Sequence, residues 1–195
     1  MRYALFPIAE PVTSENLEKF KALRLTSLKV DPSSFGSTYE REIAFTPELW
    51  MKRLTSPFKR TFIASVKDEE NSSETWIGTV SILGPSELIP ATLEPFERAG
   101  LGADWDMYMV VGMWVHPEHR GRGLGTHLMK EGLEWAGTNM DPKHNTEGRR
   151  DKMVLLQVTG HNASGYALYQ KAGFTDLTSM PPSEEGHRWM SLKVA

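Results

Sequence analysis

The stretch "MYMVVGMWVHPEHRGRGLGTHLMKEGLEWA", residues 107–136, sets three kinds of sequence end to end. From Met107 to His116 the run is almost wholly apolar. Its length and its Val, Tyr and Trp content favour a buried strand, although periodicity alone also fits a helix. Gly121, Gly123 and Gly125 then occupy alternate positions beside Arg120 and Arg122. Leu124, Leu128, Gly132, Trp135 and Ala136 follow at the spacing of one helix side. A strand, a glycine-rich turn and a helix together make an anion site for a defined reason. The first N–H groups of a helix have no internal partner and lie at the positive end of its dipole. Glycine removes the Cβ atoms that would hold a pyrophosphate off that backbone, and the arginines add charge. The competing reading is a flexible turn before an ordinary core helix.

The spacing narrows the anion. Alternating glycines do not form the dinucleotide fingerprint G-x-G-x-x-G, and the G-K-[ST] ending of a nucleotide P-loop is missing. Composition excludes other classes. With 195 residues, 39% hydrophobic and 24% charged, the chain has the length and make-up of one globular domain, residues 1–195. A formal net charge of -3 gives no general attraction to nucleic acid or to an anionic membrane. No cysteine is present, so disulfides, thiolate metal sites and a cysteine nucleophile are excluded. No apolar run reaches the length of a membrane span, and "MRYALFPIAEP" is too short and too interrupted for a signal-peptide core. The expected location is the cytoplasm, with the nucleus equally compatible.

Working outward, residues 2–8 read as a strand. A first helix runs from the capping candidates Thr13 and Ser14 to Pro32, and a second is started by Thr46 and Pro47. "TFIASVK" and "TWIGTVSIL" read as antiparallel strands joined through "DEENSSE". Residues 84–106 hold internal prolines and glycines and read as a long irregular insertion. After the helix that follows Gly125 come a polar loop through "EGRR", the strand "KMVLLQVT", a helix capped by Asn162, and the strands "GFTDL" and "HRWMSLKV".

The second anchor lies forty residues beyond the glycines. In "HNASGYALYQKAGF", Asn162 is followed by Leu168 and Tyr169, then by Gly173 and Phe174. Together with Arg120-Gly121-Arg122-Gly123-Leu124-Gly125, this resembles the two signatures of the GNAT superfamily of N-acetyltransferases over roughly residues 107–175. Gly165 departs from the alanine common there. The resemblance implies a mixed α/β (α+β) fold with a largely antiparallel, partly splayed sheet flanked by helices. It implies acetyl-CoA as cosubstrate, with pyrophosphate on the backbone of residues 120–126, including Leu124 and Thr126. Pantetheine would pair with the strand at Met113, Trp114 and Val115, and Asn162 would help hold the cofactor arm. The implied reaction is direct acetyl transfer to a primary amine: a small amine, a polyamine, or a protein or peptide amine.

Tyr169 is the expected general acid, because the departing thiolate needs a proton and an ordinary phenol holds one at neutral pH. Packing is its competing role. An amine must lose a proton before it attacks, yet the strand offers no carboxylate as base. Asp106 lies about 23 Å from Met113 along an extended strand, so no base is assigned. Glu40, Glu42, Glu87, Glu94, Glu97, Asp104 and Asp106 are expected to flank the acceptor side, where they would favour cationic amines if they are more than solvated loop charges. His116 and His119 have metal-like spacing but no evident third ligand, so no metal is assigned. Trp105, Trp114 and Trp135 are expected in the core or lining the acceptor pocket. The rival class is an acyl-CoA-binding module without turnover. A homodimer is compatible with the sequence without being required by it.

Overall fold

The computed structural model describes residues 1–68, 73–101, 105–142, 151–180 and 186–194. Asp104, the "EGRR" cluster and the middle of the "DEENSSE" connection lie outside the described residues. In chain order the elements are β1 (Arg2–Pro7), α1 (Ser14–Val30), α2 (Tyr39–Ile43), α3 (Pro47–Leu54), β2 (Lys59–Lys67), β3 (Glu74–Leu83) and α4 (Pro90–Arg98). Then come β4 (Trp105–Val115), α5 (Leu124–Thr138), β5 (Asp151–Val158), α6 (Ala163–Lys171), β6 (Thr175–Asp176) and β7 (Arg188–Val194).

The helix starts follow capping chemistry. The Thr13 hydroxyl accepts from the Asn16 N–H at 3.2 Å, Thr46 from Leu49 at 3.3 Å and the Asn162 amide oxygen from Gly165 at 2.8 Å. Each satisfies an N–H that the helix itself leaves unpaired.

The strands form one sheet in the order β1-β2-β3-β4-β5-β7-β6, with β4 and β5 as its parallel pair and antiparallel pairing elsewhere. Alternation puts successive side chains of β2 on opposite faces. Phe62 and Ala64 pack with Leu124, Leu128 and Met129 of α5, while Ile63 packs with Leu17, Phe20 and Leu23 of α1 and Trp50 of α3. The sheet is therefore covered on both sides.

Two features of β4 shape the site. Its pairing with β5 runs only from Trp105–Asp151 to Met109–Leu155, after which the strands part. Its register with β3 shifts between Thr79–Trp114 and Ser81–Val111, so Gly112 and Met113 face the single residue Val80. This is a β-bulge, and Gly112 has a φ of 65°, which glycine adopts without a Cβ penalty. A bulge bends and twists its strand, and here it lies where β4 leaves β5.

The irregular insertion expected at 84–106 is corrected. Pro85–Glu87 forms a 3-10 turn and Pro90–Arg98 a helix, and β4 begins at Trp105. Pro90 sits in the first turn, where a missing N–H costs nothing and the fixed φ suits a helix. Fully buried Phe96 packs edge-on against Trp189, with ring centroids 4.8 Å apart. Thr38 caps the short α2, its hydroxyl accepting from the Arg41 N–H at 3.3 Å.

Candidate active site

The chain leaves β4 through a 3-10 turn at Pro117–His119 and enters α5 over Gly121 and Gly123, whose φ angles are 73° and 79°. Gly123 is the N-cap and carries no side-chain cap, so the N–H groups of Leu124, Gly125 and Thr126 begin the helix without intrahelical partners. They border a groove of about 570 Å³. Met113, Trp114, Val115, Arg120, Gly121, Gly123, Leu124, Gly125, Thr126, Asn162 and Tyr169 all line it.

The surroundings of Arg122, Arg120 and Gly125 differ from one another. Arg122 is not among the lining residues; its guanidinium sits 5.6 Å from the Tyr3 ring centroid. Arg120 does not offer a free charge, because its Nε donates to the Val115 carbonyl at 2.8 Å and its Nη2 to Asp31 at 2.5 Å. Gly125 serves packing: a Cβ there would come within 3.3 Å of the Leu168 and Met113 side chains. Lys171, His119 and His161 border the groove, and sequence reasoning gave them no place in it.

Asp31 was also missed. At the end of α1 its Oδ2 accepts from Trp114 Nε1 at 2.6 Å as well as from Arg120. One carboxylate thereby ties α1 to the end of β4 and to the glycine turn. "KVDPSS" signals only a turn, so this long-range partner has no local signature. Asp31→Ala is expected to cost about 1–3 kcal/mol, the range for charged hydrogen bonds. An unfolding midpoint in urea equal to that of the unaltered chain would remove this role.

Tyr169 lies on α6, 7% exposed, with its ring edge toward Phe174. Burial pushes its phenol up to about 12, above the ordinary value assumed from sequence. It remains protonated at neutral pH. A second cavity of about 360 Å³ shares Ser34, Met113, Thr159, Asn162 and Tyr169 with the groove. Asn162 therefore caps α6 and faces both spaces at once.

Among the described residues, the carboxylates expected at the acceptor side, Glu42 apart, do not line the second cavity. Glu94 pairs with Arg98, and Glu87 accepts from Ser56 and lies 3.6 Å from the Lys59 ammonium. Among the described residues only Glu42 is an acidic residue of the second cavity, and it is committed. Arg24 Nε and Nη2 donate to its two oxygens at 2.9 and 2.8 Å, with Arg53 3.6 Å away. Burial alone would push the Glu42 carboxyl up, but the Arg24 hydrogen bonds and charge, with Arg53, hold it below the usual range. A carboxylate so held is a weak base. Trp114 is both buried core and groove lining, whereas Trp105 and Trp135 only border the core.

Glu118 supplies a third group beside His116 and His119, with ligand atoms within 4.8 Å of one another. However, His116 Nδ1 accepts from the Glu118 N–H and His119 Nδ1 is bonded to the Tyr3 hydroxyl at 3.2 Å. Burial, with neighbouring His116 and Arg122, also holds the His119 imidazole pKa down. The trio is accounted for by local capping and packing.

Residues 91–176 match the model of the family described as acetyltransferase (GNAT) domain. No curated protein matches the sequence. Among solved structures, a GNAT-family acetyltransferase from Streptococcus pneumoniae is similar at 19% identity, with all of both chains covered and a TM-score of 0.61. Arabidopsis thaliana NAA60 in complex with acetyl-CoA is similar at 15% identity, with 99% of each chain covered and a TM-score of 0.61. The same protein bound to a bisubstrate analogue matches at 14% identity over both full chains, again at 0.61. The fold is thus that of the GNAT acetyltransferases. Both signatures lie on this fold, and the segment that matches the family model takes in the glycine turn, Asn162 and Tyr169. Among the described residues, no helix is long and apolar enough to cross a membrane.

Proposed function

We propose that the chain is an acetyl-CoA-dependent N-acetyltransferase that moves the acetyl group directly to a primary amine. The observation that carries this reading is the position of Tyr169 at the wall shared by the anion groove and the second cavity. The groove takes the cosubstrate, and the cavity takes the acceptor. Residues 24–53 contribute to the cavity and residues 113–126 to the groove, which supports residues 1–195 as one working domain.

The N–H groups at the start of α5 hold the pyrophosphate by hydrogen bonds and the helix dipole. Beyond Met109 the side of β4 that faced β5 has no strand partner among the described residues, so it can pair with the extended pantetheine arm. A backbone N–H near Met113 then polarises the thioester carbonyl. The amine nitrogen forms its bond to the carbonyl carbon, the carbon–sulfur bond breaks, and the Tyr169 hydroxyl gives its proton to the sulfur. The proton the amine must lose goes to solvent, since Glu42 is engaged by arginine.

Acceptor-dependent thiol release with acetyl-CoA and an amine panel tests the reading. Tight acetyl-CoA binding without release on any acceptor would instead support the binding module, which the absence of a carboxylate from residues 107–115 of β4 favours. Gly123→Val provides a separate check. A β-branched residue at this positive φ costs roughly 1–2 kcal/mol in the turn itself. The expected result is an acetyl-CoA dissociation constant raised about tenfold by calorimetry. Unchanged affinity would argue against phosphate on this backbone.

A further inference from the structure

We infer that the acceptor is a small amino carboxylate, such as a free α-amino acid, whose carboxylate is gripped by the arginines of the cavity beside Tyr169. This rests on the acetyl-transfer reading and narrows its substrate class.

The cavity of about 360 Å³ has the size of a small-molecule site. Its charged lining among the described residues consists of Arg24, Arg41, Arg53 and Glu42. Three guanidiniums therefore face one carboxylate, which Arg24 already engages through two hydrogen bonds. Positive charge remains in excess.

A second observation points to an absent anion. Arg24 is 7% exposed, and its remaining terminal nitrogen, Nη1, is buried without a hydrogen-bond partner. A buried donor left unpaired costs free energy, and more so when it carries charge. Arg24 also lies over Phe35 at 4.4 Å from the ring centroid, and Arg53 lies 5.5 Å from that of Phe45. Both rings line the cavity, so aromatic faces fix the cations at its wall. Guanidinium presents a planar fork that matches a carboxylate, whereas a polyamine or lysine-like acceptor would bring a second cation against like charge. The cationic acceptors expected from sequence are thus disfavoured by the wall itself.

The test compares α-amino acids with their amides, which keep size and amine but lose the negative charge. Thiol release is measured with acetyl-CoA for the unaltered protein, Arg41→Ala and Arg53→Gln. Exposed Arg41 makes no ion pair in the structure among the described residues, so its removal leaves the buried pair intact. The expected result is a kcat/KM for the acids at least tenfold above that for the amides, with this preference shrinking by on the order of 10-fold in each variant. Amides or diamines used as well as the acids would overturn the inference while leaving acetyl transfer standing. If no acceptor releases thiol, calorimetry with an N-acetyl amino acid and its amide decides the point. Acid-selective binding weakened by Arg53→Gln supports the carboxylate site even where transfer fails. Equal or absent binding of the two overturns it.

Discussion

Tyr169→Phe is expected to lower kcat by roughly 10²- to 10³-fold while the acetyl-CoA KM stays within about threefold. The split follows from where the hydroxyl acts. Phenylalanine keeps the ring that packs against Phe174, so the groove retains its shape and the cosubstrate its contacts. Only the proton delivered to sulfur is lost, and that loss is felt as the thiolate forms. Burial that pushes the phenol to about 12 also disfavours an unprotonated thiolate in the same space, so donor and acceptor of the proton are shifted together. The pH profile supplies a second readout. A phenol at about 12 stays protonated through pH 10, so no falling limb from Tyr169 is expected below that point. A rate unchanged by the substitution would assign Tyr169 to packing alone.

Glu42→Ala is expected to destabilise the fold by about 3–5 kcal/mol, the range for leaving one member of a buried ion pair uncompensated. Glu42 and Arg24 have side-chain exposures of 1% and 8%. The orphaned Arg24 charge would remain between α1 and α2. Replacing both partners, Arg24→Met with Glu42→Leu, should recover most of the loss, because the desolvation cost disappears along with the attraction. Urea unfolding at pH 7 measures both effects. The carboxyl is held below its ordinary value in the folded chain, so its stabilisation is present above its unfolded pKa and lost as pH falls through the folded one. The difference between the unaltered and Glu42→Ala proteins should therefore narrow in acid. A gap that stays constant to pH 3 would place the effect elsewhere.

Local rules carried much of this architecture. Thr13, Thr46 and Asn162 announce helix starts because a cap acts within three residues. The consecutive apolar residues Phe62, Ile63 and Ala64 of β2 fit a sheet covered on both faces. Prolines misled the reading of residues 84–106: Pro90 starts α4, and the Leu93–Phe96 spacing inside it carried the helical signal. Motif spacing singles out Gly121, Gly123 and Tyr169, and the fold brings all three to one groove. Asp31 and the Arg24–Glu42 pair were not legible, since their bonds span 89, 83 and 18 residues and depend on how elements dock. Arg120 is the converse case, a groove residue found by motif whose side-chain bonds to the Val115 carbonyl and to Asp31 have no local signature.

The bulge at Gly112 has one more effect, on the parity of β4. Before it, even-numbered Tyr108 and Val110 pack with the α5 cluster, while odd-numbered Met107 and Met109 pack with Phe96. After it, odd-numbered Met113 and Val115 join the α5 cluster, and even-numbered Trp114 joins Leu17 and Trp50. The strand is thus written in two frames spliced at a single glycine. Deleting that glycine would leave the order of the other residues unchanged, yet it would send Trp114 toward α5 and strand Asp31 without its indole partner.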